Sequence, residues 1–112
     1  MVMPSLRFMR YLIKAQMKPS TALECNRDAI RSLVARHRAT NPRVFGSTAR
    51  NEDTDGSDLD LLVDALPGTT LFDLGDLQQE IEKLLGVRVD LRTPGDLSIR
   101  FRDNVVATAL PI

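Results

Sequence analysis

The 112-residue sequence predicts an α+β fold (mixed α/β), a small mixed β-sheet packed by helices in one domain. Three observations carry this. Ser57 through Asp64 and Val87 through Arg92 read as strands, with apolar side chains on alternate positions. Between them a helix from about Thr70 to Leu85 presents Leu71, Leu74, Leu77, Ile81, Leu84 and Leu85 as one buried stripe. Helical periodicity recurs on either side, after Ser20 and again from Leu97 to Leu110. The strand–helix–strand order sets the two strands side by side, parallel or antiparallel depending on the crossover.

Taken in order, residues 1–16 are basic and mildly amphipathic. Arg7, Arg10 and Lys14 interrupt their apolar residues, so no signal-peptide core forms. Residues 1–16 are therefore read as a short surface helix or as an extension upstream of the true start, with 1–19 a peripheral extension and residues 20–112 the domain. Ser20 or Thr21 is expected to cap the first helix, with Thr21-Ala22-Leu23-Glu24 as a capping box. Leu23, Ile30, Leu33, Val34 and His37 follow near one face, and Asn41-Pro42 ends the helix. His37 lies in the last turn, where a cation suits the helix dipole, and no other His or Cys surrounds it to make a ligand set. Arg43-Val44-Phe45 is a short strand leading into Gly46-Ser47, residues 47–50 form one helical turn, and Asn51 through Gly56 is a polar loop of solvated acids. Gly86 is placed to close the Thr70–Leu85 helix at its C-terminus. Pro94-Gly95 breaks the Val87–Arg92 strand. The last helix is expected to pack with Ile99, Phe101, Val105, Val106 and Leu110.

Composition excludes several classes. The 43% hydrophobic content is that of an ordinary globular domain, and no window approaches the ~18 apolar residues of a membrane span. The single cysteine, Cys25, permits neither an internal disulfide nor a Cys-rich zinc site, and reads as a reduced, helix-borne packing residue of a cytoplasmic protein. Zero net charge hides an asymmetry: residues 1–50 carry ten Lys/Arg against two Asp/Glu, and the remainder five against thirteen. Nucleic-acid contact is one reading of the basic half. No aromatic residues interleave with the arginines between Arg27 and Arg43, so solvated helix faces balancing an acidic site explain it better, and no direct nucleic-acid binding is expected.

The acidic site is the informative stretch. Asp58 and Asp60, two apart on a strand, project from one side about 6–7 Å apart along the chain. Asp90 lies on the non-core face of the other strand, where it can join them. Three carboxylates on adjacent strands suit one or two Mg²⁺ ions, which take oxygen ligands and are completed by substrate phosphates. Such ions serve in-line displacement at phosphorus. Gly46 lets backbone approach a phosphate, Ser47 can donate its N–H and hydroxyl, and Arg50 can neutralise a pyrophosphate leaving group. There is no Walker-type or dinucleotide-binding glycine motif. Asn51-x-Asp53-x-Asp55-Gly56 imitates the start of a calcium loop, but the twelfth position is Leu62 rather than Glu.

Gly46-Ser47-x-Ala49-Arg50 followed by Ser57-Asp58-Leu59-Asp60-Leu61 resembles the signature of the DNA polymerase beta-like nucleotidyltransferase superfamily. The small size is similar to its minimal branch, the MNT proteins, and most of all to MNT antitoxins that pair with HEPN-domain toxins. The resemblance covers about residues 20–110. It implies a polymerase beta-like core, metal binding and catalysis by Asp58, Asp60 and Asp90, and nucleotide binding by Gly46, Ser47 and Arg50. It also implies Mg²⁺, ATP as substrate, and transfer of AMP to a tyrosine of the HEPN ribonuclease toxin. The glycine usual after the arginine is Asn51 here, and Asn tolerates positive φ better than most residues. Two other readings stay open. One is an antitoxin that neutralises its partner by binding alone, and the other is a transferase acting on a small molecule such as an aminoglycoside.

Overall fold

The computed structural model describes residues 18–112; the expected extension at 1–16 lies outside them. Two short helices, α1 (Pro19–Glu24) and α2 (Arg27–Arg36), lead into strand β1 (Ala39–Phe45) and a one-turn helix α3 (Gly46–Ala49). Strand β2 (Leu59–Ala65), helix α4 (Leu71–Leu85) and strand β3 (Val89–Arg92) form the expected strand–helix–strand unit. A 3-10 turn (Pro94–Asp96), helix α5 (Ile99–Thr108) and a two-residue strand β4 (Leu110–Pro111) complete the chain. The sheet order is β3-β2-β1-β4, with β2 parallel to β3 and the other pairs antiparallel.

The core joins one face of the sheet to α1, α2 and α4. Leu59, Leu61 and Val63 of β2 are fully buried there with Val44 and Val89, against Leu23, Ile30, Val34, Leu77, Ile81 and Leu85. Helix α4 forms as its sequence dictates. Thr70 accepts from Asp73 N–H while the Asp73 side chain accepts from Thr70 N–H, and Gly86 closes the other end at φ +70°. Leu71 departs from the expected stripe, being 82% exposed. A 15-residue helix is ~22 Å long and overshoots the ~13 Å of the four-residue strand β3 that follows it.

Several local expectations are corrected. The first helix is two helices, and it begins one residue before Ser20. Pro19 occupies the first helical turn, where its missing N–H is no loss, so neither Ser20 nor Thr21 caps it. Asn26 breaks the run by donating its side-chain N–H to the Ala22 carbonyl at 2.8 Å. Cys25 sits at that corner and is exposed, not packed. The chain leaves α2 at His37, whose Nδ1 lies 2.8 Å from the Leu33 carbonyl, and turns through Arg38 at φ +59°. Asn41 and Pro42 therefore lie inside β1, in a bulge between Thr40 and Arg43. Asp64 holds that bulge by accepting from Asn41 Nδ2 at 3.0 Å and from the buried Arg43 at 2.7 Å. Arg27 pairs with Glu24 across the α1–α2 corner, and Arg31 pairs with Asp28 within α2.

Helix α5 buries none of its residues, contrary to its expected packing: Ile99 is 82% and Phe101 60% exposed. At 100° per residue Ile99 and Val106 share one side and Phe101 and Val105 the other, so no single face can bury both pairs. The helix also ends at Thr108, two residues short of the expected Leu110, because Leu110 and Pro111 leave to pair with β1.

Asp53 is the largest departure in the loop. Read as a solvated acid, it is buried, and its Oδ2 accepts the Ser20 backbone N–H at 2.8 Å across 33 positions of sequence. Burial alone would raise its carboxyl. The Ser20 backbone and hydroxyl, its own N–H and nearby Lys18 outweigh that and hold it below the usual range. The contribution of this clasp is complete above the unfolded value of ~3.9 and is lost as pH falls through the lower folded value. Asp53→Ala is expected to cost about 1–3 kcal/mol in urea unfolding at neutral pH, because Ser20 N–H loses its acceptor. Asp53→Asn should lose less stability than wild type as pH falls below about 4. Equal acid sensitivity of the two would show that the clasp contributes nothing.

Candidate active site

β2 and β3 pair in parallel with Asp60 opposite Asp90 and Leu59 opposite Val89. Side chains on paired positions of a sheet share a face, and neighbouring strands are ~4.8 Å apart, so these two carboxylates stand side by side. On the other flank β1 delivers Phe45 opposite Asp60, and Gly46 follows at φ +71°. A side chain at Gly46 is excluded by space as well as by conformation. An added Cβ would lie 2.2 Å from Asp60 Oδ2. Glycine thus lets the turn close over the Asp60 carboxylate.

The turn itself is short. Gly46 and Ser47 open α3, whose first N–H groups have no intrahelical acceptor. Ser47 O accepts from Glu52 N–H at 2.8 Å, and Asn51 N–H reaches Thr48 O at 3.2 Å, folding the loop back onto the turn. Asn51 holds φ +59°, the left-handed conformation expected where the related pattern has glycine. Arg50 lies just before it, largely exposed, with Nε donating to Glu52 at 3.1 Å.

Arginines answer the acidic cluster. Arg88 Nε lies 3.0 Å from Asp58 Oδ1, and Arg92 Nε donates to both Asp90 oxygens at 3.1 and 3.3 Å. Among the described residues Asp60 has no such partner. Its partial burial first, then the neighbouring Asp90 and Asp58 carboxylates, raise its pKa above the ordinary value, with Arg92 and Arg50 opposing. Among the described residues no group of three His, Cys, Asp or Glu side chains is gathered closely enough to hold a metal ion as it stands. Asp58 and Asp90 turn toward their arginines instead. The donor set is nonetheless oxygen-only, adjacent in register and electrostatically short of a cation at Asp60, which fits a hard divalent ion such as Mg²⁺. Beside this cluster a cavity of about 360 Å³ is lined by Phe45, Gly46, Ala49 and Arg50 and by Asn104 and Thr108 of α5.

The fold therefore joins Asp60 with Asp90 and places Gly46 against Asp60, while Asp58, expected on the same strand, lies one residue before β2 begins. The calcium-loop imitation goes elsewhere, since its Asp53 is committed to Ser20. Arg88, Arg92, Phe45 and Asn104 were not singled out in the sequence. The two arginines alternate with Asp90 on the polar side of β3 and were legible on that ground; Asn104 had no local signal.

A glycine turn thus lies against paired strand carboxylates on one face of a mixed sheet, and similarity to known proteins gives the family. The family model described as Nucleotidyltransferase domain matches residues 27–109. The chain belongs to the nucleotidyltransferase-domain family. A Methanocaldococcus jannaschii protein with the provisional name protein adenylyltransferase MJ0435 is 34% identical over 80 residues, covering 71% of this chain and 86% of the relative. Protein adenylyltransferase MntA of Thermococcus cleftensis is 46% identical over 48 residues, 43% of this chain and 48% of its own length. A solved structure provisionally described as a minimal nucleotidyltransferase is 47% identical with a TM-score of 0.77, covering 86% of this chain and 97% of that one. A toxin-antitoxin crystal structure with AMP-PNP shares the fold at 23% identity and TM-score 0.66, covering 77% of this chain and 71% of that one. The chain is a nucleotidyltransferase with a polymerase beta-like core.

Gly46→Ala is expected to keep its far-UV circular dichroism but lose at least roughly tenfold in nucleotide affinity, given strain of ~1–2 kcal/mol in φ plus the clash with Asp60. Wild-type affinity would show that the turn does not close on the carboxylate. Asn51→Gly should unfold within about 0.5 kcal/mol of wild type, while Asn51→Val costs ~1–2 kcal/mol in the same urea experiment.

Proposed function

We propose that this protein is a Mg²⁺-dependent antitoxin that transfers AMP from ATP to a tyrosine hydroxyl of a cognate HEPN ribonuclease toxin. The observation that carries the chemistry is the register that sets Asp60 beside Asp90 with Gly46 closed against Asp60. The protein acceptor and the toxin partner rest on relatives named protein adenylyltransferase and on the toxin-antitoxin assemblies that share the fold. The working unit is residues 20–112, with α1 already starting at Pro19. No helix among the described residues is long and apolar enough to cross a membrane, and a cytoplasmic setting is part of the proposal.

The roles follow from the positions. Gly46 and Ser47 present backbone N–H groups and a hydroxyl to the triphosphate, and Arg50 exchanges Glu52 for the departing pyrophosphate. Asp58, Asp60 and Asp90 would hold the ion, which when bound supplies charge neutralisation at the reacting phosphate. The acceptor oxygen attacks the α-phosphorus, its proton passes to Asp90, and the bond to the bridging oxygen breaks to release pyrophosphate. Arg88 and Arg92 neutralise Asp58 and Asp90 until then, so binding of the ion is an exchange of counter-charges and not the filling of a finished cage. Asn51 supports catalysis over neutralisation by binding alone, since it adopts the φ this turn requires. Protein acceptors are favoured over small molecules because the relatives are named for protein adenylylation.

Incubation with α-labelled ATP, Mg²⁺ and the partner toxin should label a toxin tyrosine. Asp58→Asn combined with Asp60→Asn should abolish the label, a loss of at least about 10³-fold for removing two charges that act in the transition state. Persistent labelling in the double variant contradicts the assignment, and full neutralisation of the toxin without labelling favours the binding-only reading.

A further inference from the structure

The α5 side of the cavity beside the glycine turn has no part in the roles above. The cavity's volume, about 360 Å³, lies within the ~300–1,000 Å³ of small-molecule pockets. One wall is the turn whose Gly46 and Arg50 are the candidate triphosphate contacts, so a nucleotide held there has this cavity beside it. The other wall is Asn104 and Thr108 of α5. Since α5 buries none of its residues, core packing does not explain what these two side chains are for.

The lining suits a base. Phe45, half-buried at the end of β1, is an aromatic ring on which any base can stack. Asn104 carries a donor and an acceptor on one planar amide. That pairing matches the 6-amino group and adjacent ring nitrogen of adenine, whereas guanine offers two acceptors at the corresponding edge. Thr108 Oγ1 donates to the Asn104 carbonyl at 2.8 Å and stands 3.5 Å from Asn104 Oδ1, one turn behind the amide. Asn104 Nδ2 makes no hydrogen bond to another described residue and is open to a ligand.

We infer that the Phe45–Asn104 cavity is the nucleobase subsite and that Asn104 selects a 6-aminopurine over a 6-oxopurine. This rests on the nucleotidyl-transfer reading of the adjacent site. Calorimetric titration of the full chain with Mg²⁺ and ATP, GTP or inorganic tripolyphosphate separates the two. Wild type should prefer ATP over GTP by about tenfold or more, the worth of one or two hydrogen bonds to the base edge. Asn104→Leu, on an exposed helix position, should lose that preference while tripolyphosphate affinity stays unchanged. Phe45→Leu should weaken ATP and GTP together and leave their ratio intact. An unchanged ATP/GTP ratio in Asn104→Leu overturns the inference, including the case where only the KM of the protein acceptor rises and the cavity belongs to the acceptor. If neither nucleotide nor tripolyphosphate binds wild type, the underlying reading falls and the subsite with it.

Discussion

The parallel, in-register pairing of β2 with β3 forces Asp60 and Asp90 together, and the rest of the site accommodates that pairing. Like unit charges held ~5 Å apart at an effective dielectric of ~20 repel by about 3 kcal/mol. A protein that keeps two carboxylates so close needs cations, and this one supplies them unevenly. Arg92 meets Asp90 and Arg88 meets Asp58, while Asp60 is left partly buried with a raised pKa. Among the three carboxylates, Asp60 is thus the one whose negative charge is least compensated by a neighbouring arginine.

The same constraint explains the turn. Closing backbone over a carboxylate leaves no room for a side chain, so the position after β1 is glycine in a left-handed conformation. The loop that follows is held at several points, by Glu52 N–H on Ser47 O, by Asn51 at positive φ and by Asp53 on the first turn of α1. The Asp53 clasp connects the helical layer to the loop that bears Arg50. Residues that look like acidic spacer in the chain thus fix the geometry of the loop that follows the glycine turn.

Much of this was legible before any coordinates. Alternation in Leu59-Asp60-Leu61 and Val89-Asp90-Leu91 reports a half-buried sheet directly, because strand period and side-chain polarity are local. Thr70 and Gly86 mark the ends of α4 for equally local reasons, a capping hydroxyl and a left-handed residue. What was not legible depends on distant partners. Asp53 is buried only because Ser20 arrives from 33 residues away. Asn41-Pro42 looks like a helix stop, yet sits in a β-bulge that Asp64 stabilises from the neighbouring strand. Leu110 continues the last helix by its periodicity, yet in the fold it joins β1 together with Pro111. The apolar residues of α5 promised a packed helix, and only their angular spacing, split between two sides, shows why they stay exposed. For the site, Asp-x-Asp, Gly-Ser and the strand-borne Asp90 were legible, and only the register adds that Asp90 stands opposite Asp60. Asn104 needed the full path of α5.

The central claim is that Asp60 and its neighbours gather a divalent ion when nucleotide arrives. Anomalous diffraction from crystals grown with Mn²⁺ and a non-hydrolysable ATP analogue tests it most directly. The account predicts an anomalous peak about 2.0–2.6 Å from Asp60 and from at least one of Asp58 and Asp90, with Arg88 or Arg92 displaced from its carboxylate. A nucleotide bound at the glycine turn with no peak at Asp60, or with the metal seated elsewhere, would contradict it.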